Sequence, residues 1–304
     1  MTTWQELPDE VRGAVRGHVG PVSSAAEITN GRGSDLAAVL DTAAGRVFVK
    51  GVEGVSPRMR HLRNEITTGT LTGGLAPAVL FAEDLGDWLV VGFEYLAGRP
   101  ADLSPGSPDL SVVADVVNRI GARPGDDARP LRTRFGAVDW WGRLDADAPE
   151  LVEGWDLVDA ARWCATFPLL ADGDRLVHAD LHGDQILIGD GPARVIDWAF
   201  PGSGAAWVDP AFVVLRLIEA GHEPAAAEAW ARAHLTGLRG ADDAHLTAFA
   251  VYLAGMWTHW TSTRTGPGLH HRARLARDYA AWRLAQVPAE VGPAHYRRSL
   301  ERTF

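Results

Sequence analysis

Apolar positions recur at helical spacing in residues 1–20, where Leu7, Val11, Val15 and His18 share one side and Gly20-Pro21 ends the run. From Ile28 to Val52 the spacing shortens to that of strands. Apolar runs at 36–40 and 46–50 flank the turn Ala43-Ala44-Gly45, which predicts a hairpin, and Asn30-Gly31-Arg32-Gly33-Ser34 forms a glycine turn at its open end. Residues 57–70 suit a helix, and 78–82 and 88–95 supply two further strands. Gly98-Arg99-Pro100 marks a boundary, beyond which helical periodicity dominates at 111–122, 150–167, 208–219, 223–237, 242–263 and 271–285. The pattern predicts an α+β chain with a small, mostly antiparallel N-terminal sheet and one helix over residues 1–95, and a larger, mainly helical lobe over 96–304.

One island of strand interrupts the helical part. Leu176-Val177 leads into His178-Ala179-Asp180-Leu181-His182-Gly183-Asp184-Gln185, and Ile186-Leu187-Ile188 then pairs across Gly189-Asp190-Gly191-Pro192 with Arg194-Val195-Ile196, followed by Asp197 and Trp198. A short polar loop held at both ends by buried strands presents its side chains in a fixed place. Asp180, Gln185 and Asp197 are the oxygen donors there, of the kind that Mg²⁺ and a hydroxyl proton require.

Composition narrows the classes. A chain of 304 residues with 46% hydrophobic residues supports two cores rather than disorder. The single Cys164 precludes an internal disulfide, and no apolar run has the length of a membrane span or the order of a signal peptide, so a cytoplasmic protein is expected. A net charge of -10 disfavours a nucleic-acid footprint. Among 29 basic residues, Lys50 is the single lysine, which hints that a compact ammonium is needed where a guanidinium would not fit.

No G-x-x-x-x-G-K-[ST] sequence is present, which removes a P-loop as phosphate grip. The other common arrangement uses a glycine turn over the phosphates, a strand lysine, a helix glutamate and a loop with base and metal ligands. Gly31 to Ser34, Lys50, Glu65, then Asp180, Gln185 and Asp197 supply these parts in order.

With these motifs, the chain resembles the aminoglycoside phosphotransferase, choline kinase and maltokinase-like group of small-molecule kinases, over roughly Ile28 to Trp207. The resemblance implies the protein-kinase-like bilobal fold and transfer of the terminal phosphate of ATP or GTP, with Mg²⁺, to a hydroxyl of a small molecule such as an antibiotic, amino sugar or sugar. It implies that Asp180 orients or deprotonates the hydroxyl, that Asp197 and Gln185 hold the metal, and that Lys50, paired with Glu65, contacts phosphates beside Gly33 and Ser34. The base would hang from the backbone around Glu94, Tyr95 and Leu96, while His178 and Asp209 brace the catalytic loop. Gln185 stands where most of the group has Asn, as in maltokinase-like members, and Asp197-Trp198-Ala199 replaces the Asp-Phe-Gly of protein kinases.

Two rival readings remain at this level. A pseudokinase or nucleotide-binding regulator would keep the fold without the chemistry. A metallohydrolase would use His178, Asp180 and His182 as ligands, since alternating residues of an extended segment face one way. The acceptor would lie against the helical lobe, where Asp139, Asp145, Asp147, Glu153 and the pair Trp140-Trp141 are candidates and Trp140-Trp141 would suit the apolar face of a sugar. The oligomeric state is open.

Overall fold

The computed structural model describes residues 2–29, 33–136, 138–266 and 268–286. In chain order it contains α1 (Asp9–Val19), β1 (Val22–Glu27), β2 (Leu36–Thr42), β3 (Gly45–Glu53), α2 (Pro57–Leu71), β4 (Val79–Leu85), β5 (Trp88–Glu94), β6 (Arg99–Pro100) and α3 (Asp109–Gly121). Then follow α4 (Leu131–Phe135), α5 (Trp140–Asp147), α6 (Leu157–Leu170), β7 (Arg175–Val177), β8 (Ile186–Ile188), β9 (Arg194–Val195) and β10 (Gly202–Gly204). Helices α7 (Val208–Glu219), α8 (Pro224–His234), α9 (Asp243–Thr263) and α10 (Leu269–Gln286) complete the described part. The α+β class expected from the periodicity is what the chain adopts. It forms two compact units, one from the residues up to Ala101 with Gly183–Pro201, the other from Asp102–His182 with the described residues from Gly202 onward.

In the first unit an antiparallel sheet of order β1-β2-β3-β5-β4 is apolar on both faces. Leu36, Ala38, Leu40, Val47, Val49 and Val90 pack with Trp4, Leu7, Val11 and Val15 from the N-terminal segment and α1 on one side. Val52, Leu89, Val91 and Phe93 pack with Leu62, Met59 and Ile66 of α2 on the other. Period-two alternation therefore puts Lys50, two residues from Phe48 and from Val52, on the α2 face. Helix α2 starts where the sequence dictates: Pro57 sits in its first turn and the Ser56 hydroxyl accepts the Met59 N–H at 3.4 Å. Gly92 is required in β5, because a Cβ there would lie 2.1 Å from the Phe81 ring. A second, three-stranded sheet, β6-β8-β9, contains the predicted hairpin, with Ile186 opposite Val195. A Cβ on Gly189, just after β8, would come within 2.4 Å of the Ala97 carbonyl, so this glycine permits the close approach of the chain after β5.

The second unit is built around α9, which is buried from Leu246 to Thr258 and packs on α5, α6 and α10. A helix buried on all sides needs no amphipathic stripe. Phe135, Phe167, Phe249 and Tyr252 meet edge-on or tilted beside it, at 4.8 to 5.9 Å. The two-stranded pair β7-β10 brackets the loop at 178–182 from this unit.

Several expectations shift. Strands β1, β6 and β10 and helices α4 and α5 were not foreseen; β6 falls on the Gly98-Arg99-Pro100 segment read as a boundary. The helix expected over 150–167 begins only at Leu157, because Gly154 sits at φ 81° and the Asp156 side chain caps the Asp159 N–H at 3.0 Å. Of the twelve tryptophans, seven are buried, among them Trp4, Trp163, Trp198 and Trp207, so core packing accounts for most of them. Trp141 is fully buried, donates to the Val251 carbonyl at 3.1 Å and stacks on Trp155 at 4.1 Å, which removes it as a sugar-facing ring.

The buried Arg283 of α10 donates to both Glu228 oxygens, at 3.1 and 2.9 Å, and Tyr279 donates to Glu228 at 2.8 Å. Arg283→Ala leaves the buried Glu228 carboxylate without its counter-charge and is expected to destabilise the chain by about 3 kcal/mol, measured by urea unfolding of the 304-residue chain. A loss below about 1 kcal/mol would show that the pair is solvated in solution.

Candidate functional site

In the first unit the strand lysine meets two carboxylates. Lys50 Nζ donates to both Glu65 oxygens, at 2.9 and 2.8 Å, and to Asp197 Oδ1 at 3.2 Å, with 16% of its side chain exposed. Burial works against its charge, but Glu65 and Asp197 outweigh that and hold the ammonium above the ordinary lysine range. Burial pushes the Glu65 carboxyl up; Lys50 pulls it back and Asp197 adds to the rise. Lys50 thus pairs with Glu65, the partner the resemblance implied, and also meets Asp197, a contact the sequence did not indicate.

Asp197 adopts φ 63°, and with Ala179 at φ 62° it is one of two non-glycine residues in the left-handed region among the described residues. Backbone held this way is maintained by its surroundings. Trp198 Nε1 donates to the Val195 carbonyl at 2.9 Å, and the Ile196 N–H donates to the Gln185 carbonyl at 2.9 Å, which ties the Gln185 and Asp197 segments together. Gln185 is buried, whereas Asp197 keeps 49% of its side chain exposed. A half-exposed carboxylate and an amide fit Mg²⁺, which takes one or two protein oxygens and leaves the other positions to phosphate and water.

Of the glycine turn, Asn30, Gly31 and Arg32 lie outside the described residues, Gly33 is exposed and Ser34 is buried. Next to it, Asp35 accepts from the Glu53 N–H at 3.0 Å and from Arg58 of α2 at 2.6 Å, fastening the end of the turn to the sheet and helix. The Glu94 carboxylate accepts from Arg194 at 2.9 Å and from the Ala78 N–H at 3.1 Å. The Glu94 backbone N–H in turn donates to the Ala78 carbonyl at 2.8 Å. Glu94, Tyr95, Leu96 and Ala97, with Leu187, Gly189, Gly191, Pro192 and Arg194 of the β8-β9 hairpin, line a cavity of about 220 Å³.

In the second unit Asp209, near the start of α7, is buried and accepts the backbone N–H groups of His178 and Ala179, each at 2.8 Å. Burial pushes its carboxyl above the usual range, against which His178 and the two N–H donors pull. His178 is buried, 1% exposed. Asp180 is a third exposed and accepts from Arg216 Nη2 at 3.4 Å. Arg134 lies in the field of Asp180 and Asp209; burial pushes its guanidinium down to about 10, and both carboxylates pull it back. No group of three His, Cys, Asp or Glu side chains among the described residues could hold a metal ion, so His178, Asp180 and His182 do not converge as a metal centre.

Of the acceptor candidates, Asp139 caps α5 by accepting the Gly142 N–H at 2.8 Å, and the Asp147 carboxylate lies 3.5 Å from His259. Asp145 and Glu153 are simply exposed. Sequence reasoning missed Asn64, whose amide donates to the Ala199 carbonyl at 2.9 Å, and Arg216. Asn64 stands one residue before Glu65, on the helix already assigned, which was the available signal. Arg216 carried none, being one of many arginines.

No family model matches the chain. A thiamine kinase of Salmonella paratyphi B is 29% identical over 172 residues, 51% of this chain and 55% of that protein, so the chain spans about half the length of the curated relatives it matches. Among solved structures, a thermostable mutant of aminoglycoside phosphotransferase APH(4)-Ia in ternary complex with ADP and hygromycin B superposes with a TM-score of 0.63 at 16% identity, covering 91% of this chain and 98% of that one. Choline kinase LicA from Streptococcus pneumoniae gives 0.62 at 14% identity, covering 90% and 98%. The chain has the protein-kinase-like fold of these small-molecule kinases.

Proposed function

We propose that this chain is a small-molecule kinase that moves the terminal phosphoryl group of ATP to a hydroxyl of a small metabolite or antibiotic. The observation that carries the reading is Lys50 held on Glu65 at 2.8 Å and on Asp197 at 3.2 Å: a fixed ammonium beside a carboxylate, arranged for nucleotide phosphates. The ADP of one structural neighbour and the kinase names of the relatives support the same donor and reaction type. Those proteins are named with acceptors as different as choline and thiamine, so the acceptor class stays at a small hydroxyl-bearing molecule.

Lys50 would neutralise phosphate oxygens, with Glu65 fixing its direction, and the backbone of residues 94–97 would hold the nucleotide base. Mg²⁺, held by Asp197 and Gln185, would supply charge neutralisation on the phosphates. Asp180 would orient the acceptor hydroxyl and take its proton as the acceptor oxygen bonds to the terminal phosphorus and the bond to the bridging oxygen breaks, leaving ADP. His178 and Asp209 would act only by holding the loop. Positioning and electrostatics supply most of the acceleration in such transfers.

Screening hydroxylated metabolites and antibiotics for Mg²⁺-dependent ATP consumption is expected to find a substrate, and nucleotide binding without turnover on any of them would favour a regulator instead. With a substrate in hand, Asp180→Asn should lower kcat on the order of a hundredfold or more while calorimetry shows ATP binding nearly unchanged. Full turnover in that variant would remove Asp180 from its role. Lys50→Arg keeps the charge but not the compact geometry, and kcat/KM for ATP should fall by about tenfold or more. Activity equal to wild type would refute the need for an ammonium at this position. Chelation with EDTA should abolish turnover and added Mg²⁺ restore it; persistence under EDTA would exclude Gln185 and Asp197 as ligands of an essential ion.

A further inference from the structure

Helix α7 holds the 178–180 loop at two levels. Near its start Asp209 takes the backbone N–H groups of His178 and Ala179, each at 2.8 Å. Seven residues later, on the same face after two turns, Arg216 reaches the side chain of Asp180, Nη2 to Oδ1 at 3.4 Å. Its other terminal nitrogen, Nη1, donates to Glu219 at 2.9 Å, its guanidinium carbon lies 5.5 Å from the centre of the Trp257 ring, and its side chain is 3% exposed. Three consecutive residues of the loop are thus tied to one helix, and the middle one, Ala179, is held at φ 62°.

We propose that Arg216 is a positioning residue for Asp180, an inference that rests on the phosphotransfer reading for its consequence but not for its geometry. A planar guanidinium presents its terminal nitrogens in a rigid fork, so it holds two carboxylates at once where an ammonium would act as a point charge. Glu219 and the Trp257 face fix the fork from one side. The other prong then fixes Asp180, engaging Oδ1 and leaving Oδ2 as the oxygen to receive the acceptor hydroxyl. The second bond falls on the one carboxylate in the loop to which the reaction assigns a proton. Arg134, whose charge also feels Asp180 and Asp209, adds to the field.

The test combines kinetics with a direct view of the carboxylate. Arg216→Met should lower kcat by about tenfold or more with KM for ATP and acceptor within about twofold of wild type, and adding it to Asp180→Asn should cost nothing further. Arg216→Lys, which retains one charged contact, should recover part of kcat and serves if the Met variant does not fold. A wild-type kcat in either variant, or losses that multiply in the double variant, would overturn the proposal. In parallel, carbon-13 NMR of aspartate-labelled protein should show the Asp180 carboxyl resonance, identified by its disappearance in Asp180→Asn, displaced by the Arg216 substitutions; an unmoved resonance overturns the proposal whatever the activity. If instead Asp180→Asn keeps full turnover while that resonance moves, the proposed role of Asp180 fails and the positioning by Arg216 stands.

Discussion

A charge removed from water must be met by an opposite charge or by aimed hydrogen bonds, and this constraint organises both units. Lys50, buried on the α2 face of the sheet, is held by Glu65 and Asp197. Asp209, buried in the second unit, is met by two backbone N–H groups, and Arg216, also buried, by Asp180 and Glu219. In each case at least one partner is a residue of the candidate site or of the loop that carries it. Satisfying the buried charges therefore also sets the positions of the candidate site residues.

The same surroundings maintain unusual backbone. Ala179 and Asp197 lie in the left-handed region, next to Asp180 and at the candidate metal ligand respectively. The cost of such a conformation is of order 1–3 kcal/mol for each residue, and the hydrogen bonds of Asp209 to residues 178 and 179, and of Lys50 to Asp197, are positioned to offset it. Asn64 and Glu65, adjacent on α2, reach the Ala199 carbonyl and Lys50, so one helix sets the far end of the Asp197 segment and the lysine together. Helix α7 does the corresponding work for the other loop through Asp209 and Arg216.

Much of this was legible because it is local. The alternation 46–50 gave β3 and put Lys50 on a strand; the Ser56-Pro57 start gave α2 and its Glu65; the apolar runs on either side of the glycine hairpin gave β8 and β9. What escaped depended on partners distant in sequence. Strand β1, with no strong apolar alternation, is stabilised by its pairing with β2, and β10, rich in glycine, by β7. Helix α5 forms where Trp141 can bury itself against α9 and stack on Trp155, and this contact, invisible in the pattern, also takes the ring out of the acceptor candidates. Arg216 could not be singled out among so many arginines until its fork was seen over two carboxylates.

By itself the sequence determined most of the element types, the order of the candidate site and loop residues, and the choice of a lysine at position 50, since periodicity, turn chemistry and side-chain identity are properties of neighbouring residues. Only the tertiary structure decided which charges meet: that Lys50 bridges Glu65 and Asp197, that Asp209 holds backbone rather than substrate, and that Arg216 grips Asp180. These pairings are made across 15 to 147 positions of chain, and Coulombic and hydrogen-bond energies depend on distances in space, which spacing along the sequence does not contain.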